Sequence, residues 1–348
     1  MPQDRYRVIQ WTTGRVGSVA VRHFADNSAF DLVGVLVTDP AKVGKDAGDI
    51  VGAAPTGVLA TDDVAATIAL QADCVFYTPA RADIDVICRL LRSGKNVVAT
   101  SSYFYPTESN RPGVEKIEAA CRDGGTSFHA AGIHPGYAGD LLPLTLARIT
   151  SKIRKIEIYE IVDVLTDASD HVDIMGFGHT PDEFLSVPNM LGQAVPVFAQ
   201  SMAMIVEGLG KTVEKVTSEL EIATATKDIP HETGVVRAGT VAAQHHEWSA
   251  WTDGVPLVVF HAFYALSDDI EPSWNCGKTR YRILIEGDPS TELTLEGMPG
   301  PNGACAHPGY TWTAMAAINS IPDVCDAEPG LVTHFDLGLV RPLGLVRP

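Results

Sequence analysis

Across its first 140 residues the chain alternates short apolar runs with amphipathic helical stretches, and this rhythm restricts the fold more than any other feature. "YRVIQW" (Tyr6–Trp11), "FDLVGVLVT" (Phe30–Thr38), "DCVFYT" (Asp73–Thr78), "NVVATS" (Asn96–Ser101) and "TSFHAAG" read as strands. Between them lie helical stretches: Gly17–Asp26, "ADIDVICRLLRSG" with Ile84, Ile87, Leu90 and Leu91 on one face, and "GVEKIEAACRDGG". Strands that are apolar throughout, separated by helices, predict βαβ units and a parallel sheet covered on both faces. Ligands of such sheets bind at the carboxyl ends of the strands.

From about Ile153 the pattern changes. "IRKIEIYEIVDV" has a period near two, and "KTVEKVTSELEIATA", "GVVRAGTVAAQHHEWSAW", "PLVVFHAFYAL", "YRILIEG" and "STELTLEG" follow as further strand candidates. Few helices intervene, apart from one over about Leu191–Gly208 and another over about Tyr310–Ser320, which predicts a second, largely antiparallel α+β domain. The boundary falls near Ser151, giving domains over 1–150 and 151–306. The tail "LGLVRPLGLVRP" repeats one hexapeptide and is expected to be a strap or a frayed end.

Composition narrows the partners. A formal charge of −17 disfavours nucleic acid and anionic membrane surfaces, both of which demand a basic face. No apolar run approaches the roughly 18–20 residues of a membrane span, and "MPQDRYRVIQW" enters a strand with no basic-then-apolar leader. Six cysteines lie far apart with no C-x-x-C pair, a usage that suits reduced cytoplasmic thiols better than a disulfide frame or a zinc site. A soluble cytoplasmic protein with no metal is expected.

The loop after the first strand carries the clearest chemistry. "QWTTGRVGSVAV" (Gln10–Val21) has Thr12-x-Gly14-x-x-Gly17 where a dinucleotide-binding loop has G-x-G-x-x-G. Gly14 stands where backbone must approach a pyrophosphate, Gly17 where the helix packs on the strand, and the helix amino terminus offers free N–H groups to phosphate. Thr12 replaces the first glycine on condition that its φ stays negative, with its hydroxyl as a phosphate donor; Thr13, Arg15 and Val16 complete the loop. Asp39, ending the second strand about 20 residues on, stands where an acidic side chain takes the adenosine ribose. The plain alternative is a strand–turn–helix with no ligand. Asp39 favours NAD, while Thr38, Lys42 and Lys45 around it suit the 2′-phosphate of NADP, so the choice stays open. Thr78 and Pro79, closing the third strand, and Ser101, closing the fourth, are the remaining expected cofactor contacts.

"VIQWTTGRVG", "VTDPAKVGKDAGDI", "DCVFYTP", "NVVATSSYFYP" and "GIHPGYAGDLLP" fall in the order and spacing of the dihydrodipicolinate reductase-like group. More closely, the chain resembles the actinobacterial branch related to 2,4-diaminopentanoate dehydrogenase and the native amine dehydrogenases, a likeness that extends through "MGFG" (Met175–Gly178) and "TAMAAINSIPDVCDAEPGLVT". The resemblance implies an α/β fold with an N-terminal Rossmann domain, a second domain carrying an open mixed sheet, and a homodimer through those sheets. It also implies a carboxyl-terminal segment, 307–348, that completes the first domain, and an NAD(P) cofactor with a small-molecule substrate. Relatives that reduce imines carry a glutamate pair just before the Tyr-Pro of the fourth-strand loop; here Ser101 and Ser102 stand in those places. Serine holds no negative charge near neutral pH and does not stabilise an iminium or ammonium as a carboxylate does. Glu108 is the acid nearest in sequence to take over.

Hydride transfer to a carbonyl needs a proton donor near the oxygen. The candidates are Ser102 and Tyr103 after the fourth strand, His134 and Tyr137 in "GIHPGY", and His171 with Asp173 in "DHVDIMGFGH". Tyr103 has the alternative of a packing aromatic. His245 and His246 alternate along a strand and face opposite ways, against a shared metal, and His261 reads as a satisfied core histidine. Two functions remain: an NAD(P)-dependent oxidoreductase acting on a small carbonyl, imine, alcohol or amine, and a cofactor-binding sensor that has lost catalysis.

Overall fold

The computed structural model describes residues 5–167, 172–187, 191–299 and 308–345. The chain divides into two compact units, one of residues 1–137 with 309–348 and one of 138–308.

The first unit begins β1 (Tyr6–Trp11), α1 (Arg15–Asp26), β2 (Phe30–Leu36), α2 (Ala47–Val51), β3 (Ala60–Thr61), α3 (Val64–Ala69) and β4 (Cys74–Tyr77). It continues with α4 (Ile84–Arg92), β5 (Asn96–Ala99), α5 (Arg111–Gly124) and β6 (Ser127–Ala130). The second unit then supplies α6 (Leu141–Ala147), β7 (Lys152–Asp163), α7 (Val164–Asp167), α8 (Pro181–Ser186), α9 (Val195–Gly208) and β8 (Lys215–Ala225). After these come β9 (Ile229–His231), β10 (Gly234–Val236), β11 (Val241–Thr252), β12 (Val255–Ala265), β13 (Ile270–Glu271), β14 (Arg280–Asp288) and β15 (Thr291–Glu296). The chain returns to the first unit as α10 (Pro308–Ile318), α11 (Ile321–Cys325), β16 (Gly330–Leu331) and α12 (His334–Leu337).

In the first unit the strands run in the order β16-β6-β5-β4-β1-β2-β3, every adjacent pair parallel. The five strands expected from the apolar runs form its middle. The two-residue strands β3 and β16 at the edges are too short to leave a periodic signature, and the sequence reading does not contain them. Helix α1 buries Gly17, Ala20, Val21 and Phe24, the 3.6-residue stripe expected of a helix lying on a sheet. Ala314, Ala317, Ile318, Ile321 and Val324 of α10 and α11 enter the same core, with Val8, Phe76 and Val98 of the sheet. Lys95 stays buried by donating through Nζ to the Ile68 carbonyl (2.7 Å) and to Ser93 Oγ (3.0 Å).

The repeated tail is a strap as far as it is described. Asn27, the buried residue that ends α1, donates through Nδ2 to the Leu343 carbonyl at 2.9 Å.

The second unit is built on a sheet of order β13-β8-β11-β12-β7-β14-β15, antiparallel throughout except where β12 runs parallel to β7. The alternating pattern decides its faces. Ile156, Ile158, Trp248, Val258, Phe260 and Ala262 pack with Phe198, Met202 and Ile205 of α9. Residues of opposite parity, including Glu157, Tyr159, His245, Glu247 and His261, stand on the other face. Among the described residues no helix is long and apolar enough to cross a membrane. Cys74, Cys88, Cys121, Cys276 and Cys325 are free.

Candidate active site

Because the first sheet is parallel, its strands deliver their carboxyl ends to one edge. The segments Thr12–Gly17, Thr38–Lys42, Thr78–Pro79 and Ser101–Tyr103, and the loop carrying His134, therefore leave the sheet on the same side.

Thr12 has φ +74°. The expectation that threonine replaces glycine at a negative φ is thus corrected: it replaces glycine in the left-handed region itself, which costs a β-branched residue on the order of 1–3 kcal/mol. The neighbours hold it there. Gln10, fully buried at the end of β1, donates through Nε2 to the Thr12 carbonyl at 2.7 Å and to Thr78 Oγ1 at 2.8 Å. Thr12 N donates to the Leu36 carbonyl at 2.9 Å, and the Thr12 and Thr78 hydroxyls lie 3.3 Å apart. Gln10 and Thr78 thereby define the turn. Gln10 escapes a pattern-based reading because it sits inside an apolar strand run; the one available signal is an amide at the last buried positions before a glycine loop.

The two glycines have different causes. A Cβ on Gly17 would stand 2.2 Å from the Thr12 carbonyl oxygen and 2.9 Å from both Gln10 Nε2 and Thr78 Oγ1, so the turn excludes any side chain. A Cβ on Gly14 would meet nothing within 4 Å, and its φ of −72° suits any residue. Neither contacts nor backbone conformation require glycine at position 14, and its missing side chain leaves open space beside the loop. Gly14 is also the N-cap of the 12-residue α1 and supplies no side-chain cap, leaving first-turn N–H groups directed at that space. These features fit a dinucleotide pyrophosphate.

Around the loop, Lys42 Nζ donates to the Thr13 carbonyl (3.0 Å) and to Thr13 Oγ1 (3.1 Å). Asp39 is exposed and accepts from Ala41 N at 2.9 Å through Oδ1, capping a single turn at Pro40–Lys42. Thr38 is exposed beside it. Arg15 places its guanidinium 5.9 Å from the centroid of the Tyr310 ring on α10. Val16 packs at the edge of the first core, and Thr78 and Pro79 are half-buried at the end of β4.

The loop after β5 is the second strained segment. Ser102 and Tyr103 have φ +62° and +58°, two consecutive non-glycine residues in the left-handed region. Ser101 Oγ is buried with no hydrogen-bond partner among the described residues, a polar atom placed as if for a ligand. Tyr103 turns toward α5: a Cβ on Gly113 would fall 2.5 Å from its hydroxyl, and its ring meets Phe128 edge-on at 6.5 Å. Burial raises its pKa above the ordinary 10.0. Gly113 is small because this phenol lies on it, which is the packing arrangement. Glu108 accepts from Arg111 Nη2 at 2.6 Å on the surface, and that cation holds its carboxyl below the usual range.

His134 is half-buried in the loop after β6. The loop is tight: a Cβ on Gly136, at φ +123°, would stand 2.3 Å from Gly132 N. Tyr137 is exposed. His171 lies outside the described residues. His246 and His245 do face opposite ways, but His245 meets His261 across the strands at 3.1 Å, and His261 Nε2 is buried with no hydrogen-bond partner among the described residues. The expected satisfied core histidine is therefore corrected on its second nitrogen.

Residues 8–121 match the family described as dihydrodipicolinate reductase, N-terminus, and residues 137–345 match the 2,4-diaminopentanoate dehydrogenase C-terminal domain. The chain belongs to this dehydrogenase family. It is 31% identical to an amine dehydrogenase of Streptomyces virginiae, covering 97% of both chains. It is 23% identical to 2,4-diaminopentanoate dehydrogenase of Acetoanaerobium sticklandii, over 75% of this chain and 71% of that one. The solved amine dehydrogenase of Mycobacterium smegmatis superposes with a TM-score of 0.78 at 21% identity, covering 97% of each chain, which shows the shared fold. The protein is accordingly an oxidoreductase that transfers hydride to or from a nicotinamide cofactor, and the reading as a sensor without catalysis is set aside.

Proposed function

We propose that this dehydrogenase acts on a small neutral carbonyl or its alcohol in preference to an amine. The observation that carries this reading is the loop after β5. By the resemblance, Ser101 and Ser102 stand where imine-reducing relatives hold glutamates, and Glu108, the only acid in 101–110, is taken up by Arg111. A hydroxyl stabilises developing negative charge on a carbonyl oxygen by donating to it, but gives no counter-charge to ammonium or iminium. The amine reading is favoured by the activities of the two named relatives and makes the other arm of the test.

The cofactor supplies or accepts the hydride when bound; the rest falls to this chain. Gly14 leaves room for the pyrophosphate, the first turn of α1 and the hydroxyls of Thr12 and Thr13 offer donors to it, and Gln10 and Thr78 keep the turn closed. His134 is the proton donor to the substrate oxygen, Ser102 helps place that oxygen, and Tyr103 holds the Ser102 backbone in position by wedging against Gly113. Asp39 favours NAD: its carboxylate repels a 2′-phosphate, and the Lys42 ammonium that would answer one is engaged by Thr13. Asp39→Ser is expected to weaken NAD binding more than NADP binding; an unchanged ratio of the two dissociation constants removes Asp39 from ribose recognition. A homodimer belongs to the same reading.

The test of the substrate class is NAD(P)H consumption over ketones and aldehydes, with and without ammonium, in the native protein and in Ser102→Glu. The native protein is expected to reduce carbonyls without help from ammonium. Installing the carboxylate adds an ion pair of roughly 1–3 kcal/mol in a partly buried site and raises amination relative to carbonyl reduction by about one to two decades. Native protein that aminates ketones efficiently with ammonium overturns the proposal.

A further inference from the structure

The face of the second sheet turned away from α9 carries a group of side chains to which the proposed mechanism assigns no role. His245 on β11 and His261 on β12 bring ring nitrogens together, Nε2 of the first lying 3.1 Å from Nδ1 of the second. Glu247, directly across from His261 in the strand register, places Oε2 3.6 Å from that same Nδ1. One ligand atom from each of the three lies within 4.8 Å of the others. Tetrahedral coordination at a metal–nitrogen distance of about 2.0–2.1 Å sets ligand atoms about 3.3 Å apart, close to the spacings found.

The outer ring nitrogens add a second, independent observation. Zinc-bound imidazoles commonly donate their other N–H to a carboxylate, which fixes the tautomer and orients the ring. His245 Nδ1 is 3.1 Å from Glu221 Oε2, and His261 Nε2 looks toward Glu157 Oε1 at 4.0 Å. Taken as a hydrogen bond between two neutral imidazoles, the 3.1 Å contact leaves a defect. If His245 Nε2 carries the proton, its Nδ1 turns a lone pair toward the Glu221 carboxylate. If His261 Nδ1 carries it, the lone pair of His261 Nε2 is left facing Glu157. That residue is 9% exposed, and the nitrogen has no hydrogen-bond partner among the described residues. A cation between the inner nitrogens lets His245 Nδ1 donate to Glu221 at 3.1 Å and puts the His261 Nε2 proton on the side of Glu157, 4.0 Å away.

We propose that His245 Nε2, His261 Nδ1 and Glu247 Oε2 bind a zinc ion, with water as the fourth ligand. Two imidazoles and one carboxylate are the donor set that suits zinc over magnesium or calcium. The rings are fixed by stacking, His245 on Phe263 at 3.9 Å and His261 on Tyr159 at 4.4 Å between centroids. Ser249 Oγ donates to Glu247 Oε1 at 3.3 Å, leaving Oε2 for the metal. The opposing charges are Lys155, paired with Glu157 at 2.5 Å, and Arg282 over the Tyr159 ring, whose guanidinium donates to Glu292 at 2.6 Å. Glu247 is the most exposed of the three, at 34% of its side chain.

The experiment strips the purified full-length protein with a chelator, adds zinc, removes the excess by gel filtration and measures retained metal by plasma mass spectrometry. A parallel sample takes cobalt(II) for its visible absorption. About one zinc per chain is expected, with the absorption of tetrahedral cobalt and a higher Tm in zinc than in chelator. His245→Ala and His261→Ala should lose the stoichiometric metal. Glu221→Gln changes an exposed side chain and should weaken zinc affinity by roughly 10–100-fold. Native protein that retains no zinc after stripping and reloading overturns the proposal. So does zinc retained equally by folded His245→Ala and by Glu221→Gln.

Discussion

Thr12 occupies a backbone conformation that its side chain opposes, and three neighbours, Gln10, Thr78 and Leu36, supply the hydrogen bonds that hold it. Thr12→Gly removes strain of roughly 1–3 kcal/mol and adds unfolded-state entropy worth about 0.5–1 kcal/mol. A net gain near 1 kcal/mol is expected, which for a chain of this size is a Tm rise of about 2 °C by calorimetry. A Tm that stays level or falls means the threonine side chain contributes more to the turn than its strain removes. Gly17→Ala has the opposite effect: a methyl placed 2.2 Å from the Thr12 carbonyl oxygen forces the turn open, and both Tm and nicotinamide cofactor affinity by fluorescence titration should collapse. The glycine spacing was legible in the sequence. The sign of the Thr12 φ was not, because it depends on an amide one strand-end earlier and a hydroxyl from β4, 66 residues away.

On the strands, buried histidines set the acid limit of the fold. Burial lowers His129 on β6 to about 3, His246 on β11 to about 4 and His261 on β12 to about 4, from an ordinary 6.5; His334 adds to the effect on His129, and His245 to that on the other two. Each binds a proton in the unfolded chain below pH 6.5 but stays neutral in the folded one until about pH 3–4. The unfolded state therefore holds more protons through that window, and stability falls as pH falls. The slope is about 1.4 kcal/mol per pH unit for each such histidine. Urea midpoints measured at pH 7, 6 and 5 should decline steadily; a flat profile means these rings are protonated in the folded protein. The strand assignments themselves were readable from period-two and apolar runs. What the sequence could not show is that His245 and His261, 16 residues apart, share one face, since that follows from the register in which Glu247 opposes His261.

At the scale of the whole molecule, the chain leaves its first unit at Tyr137 and comes back at Gly309. Ala314, Ala317, Ile318, Ile321 and Val324 then fill a core begun by β1, β4 and α1, and Ser127 Oγ donates to the Glu328 carbonyl at 3.0 Å. A chain ended after Pro308 leaves that apolar surface uncovered, and each large aliphatic side chain so exposed forfeits roughly 1.5–3 kcal/mol. Such a truncation is expected to lose the cooperative thermal transition of the first unit and to become sensitive to protease there. A truncated protein that melts as sharply as the full chain shows that α10 and α11 are dispensable. By itself the sequence determined the parallel α/β unit, the largely antiparallel sheet that follows, and the glycine loop after the first strand, because hydrophobic period and glycine spacing are local properties of the chain. Only the tertiary structure decided that Gln10 clamps the loop, that Tyr103 lies on Gly113, that Arg111 takes up Glu108, and that two histidines and a glutamate converge across β11 and β12. Each of those depends on strand register and on contacts between residues distant in sequence, which local pattern does not encode.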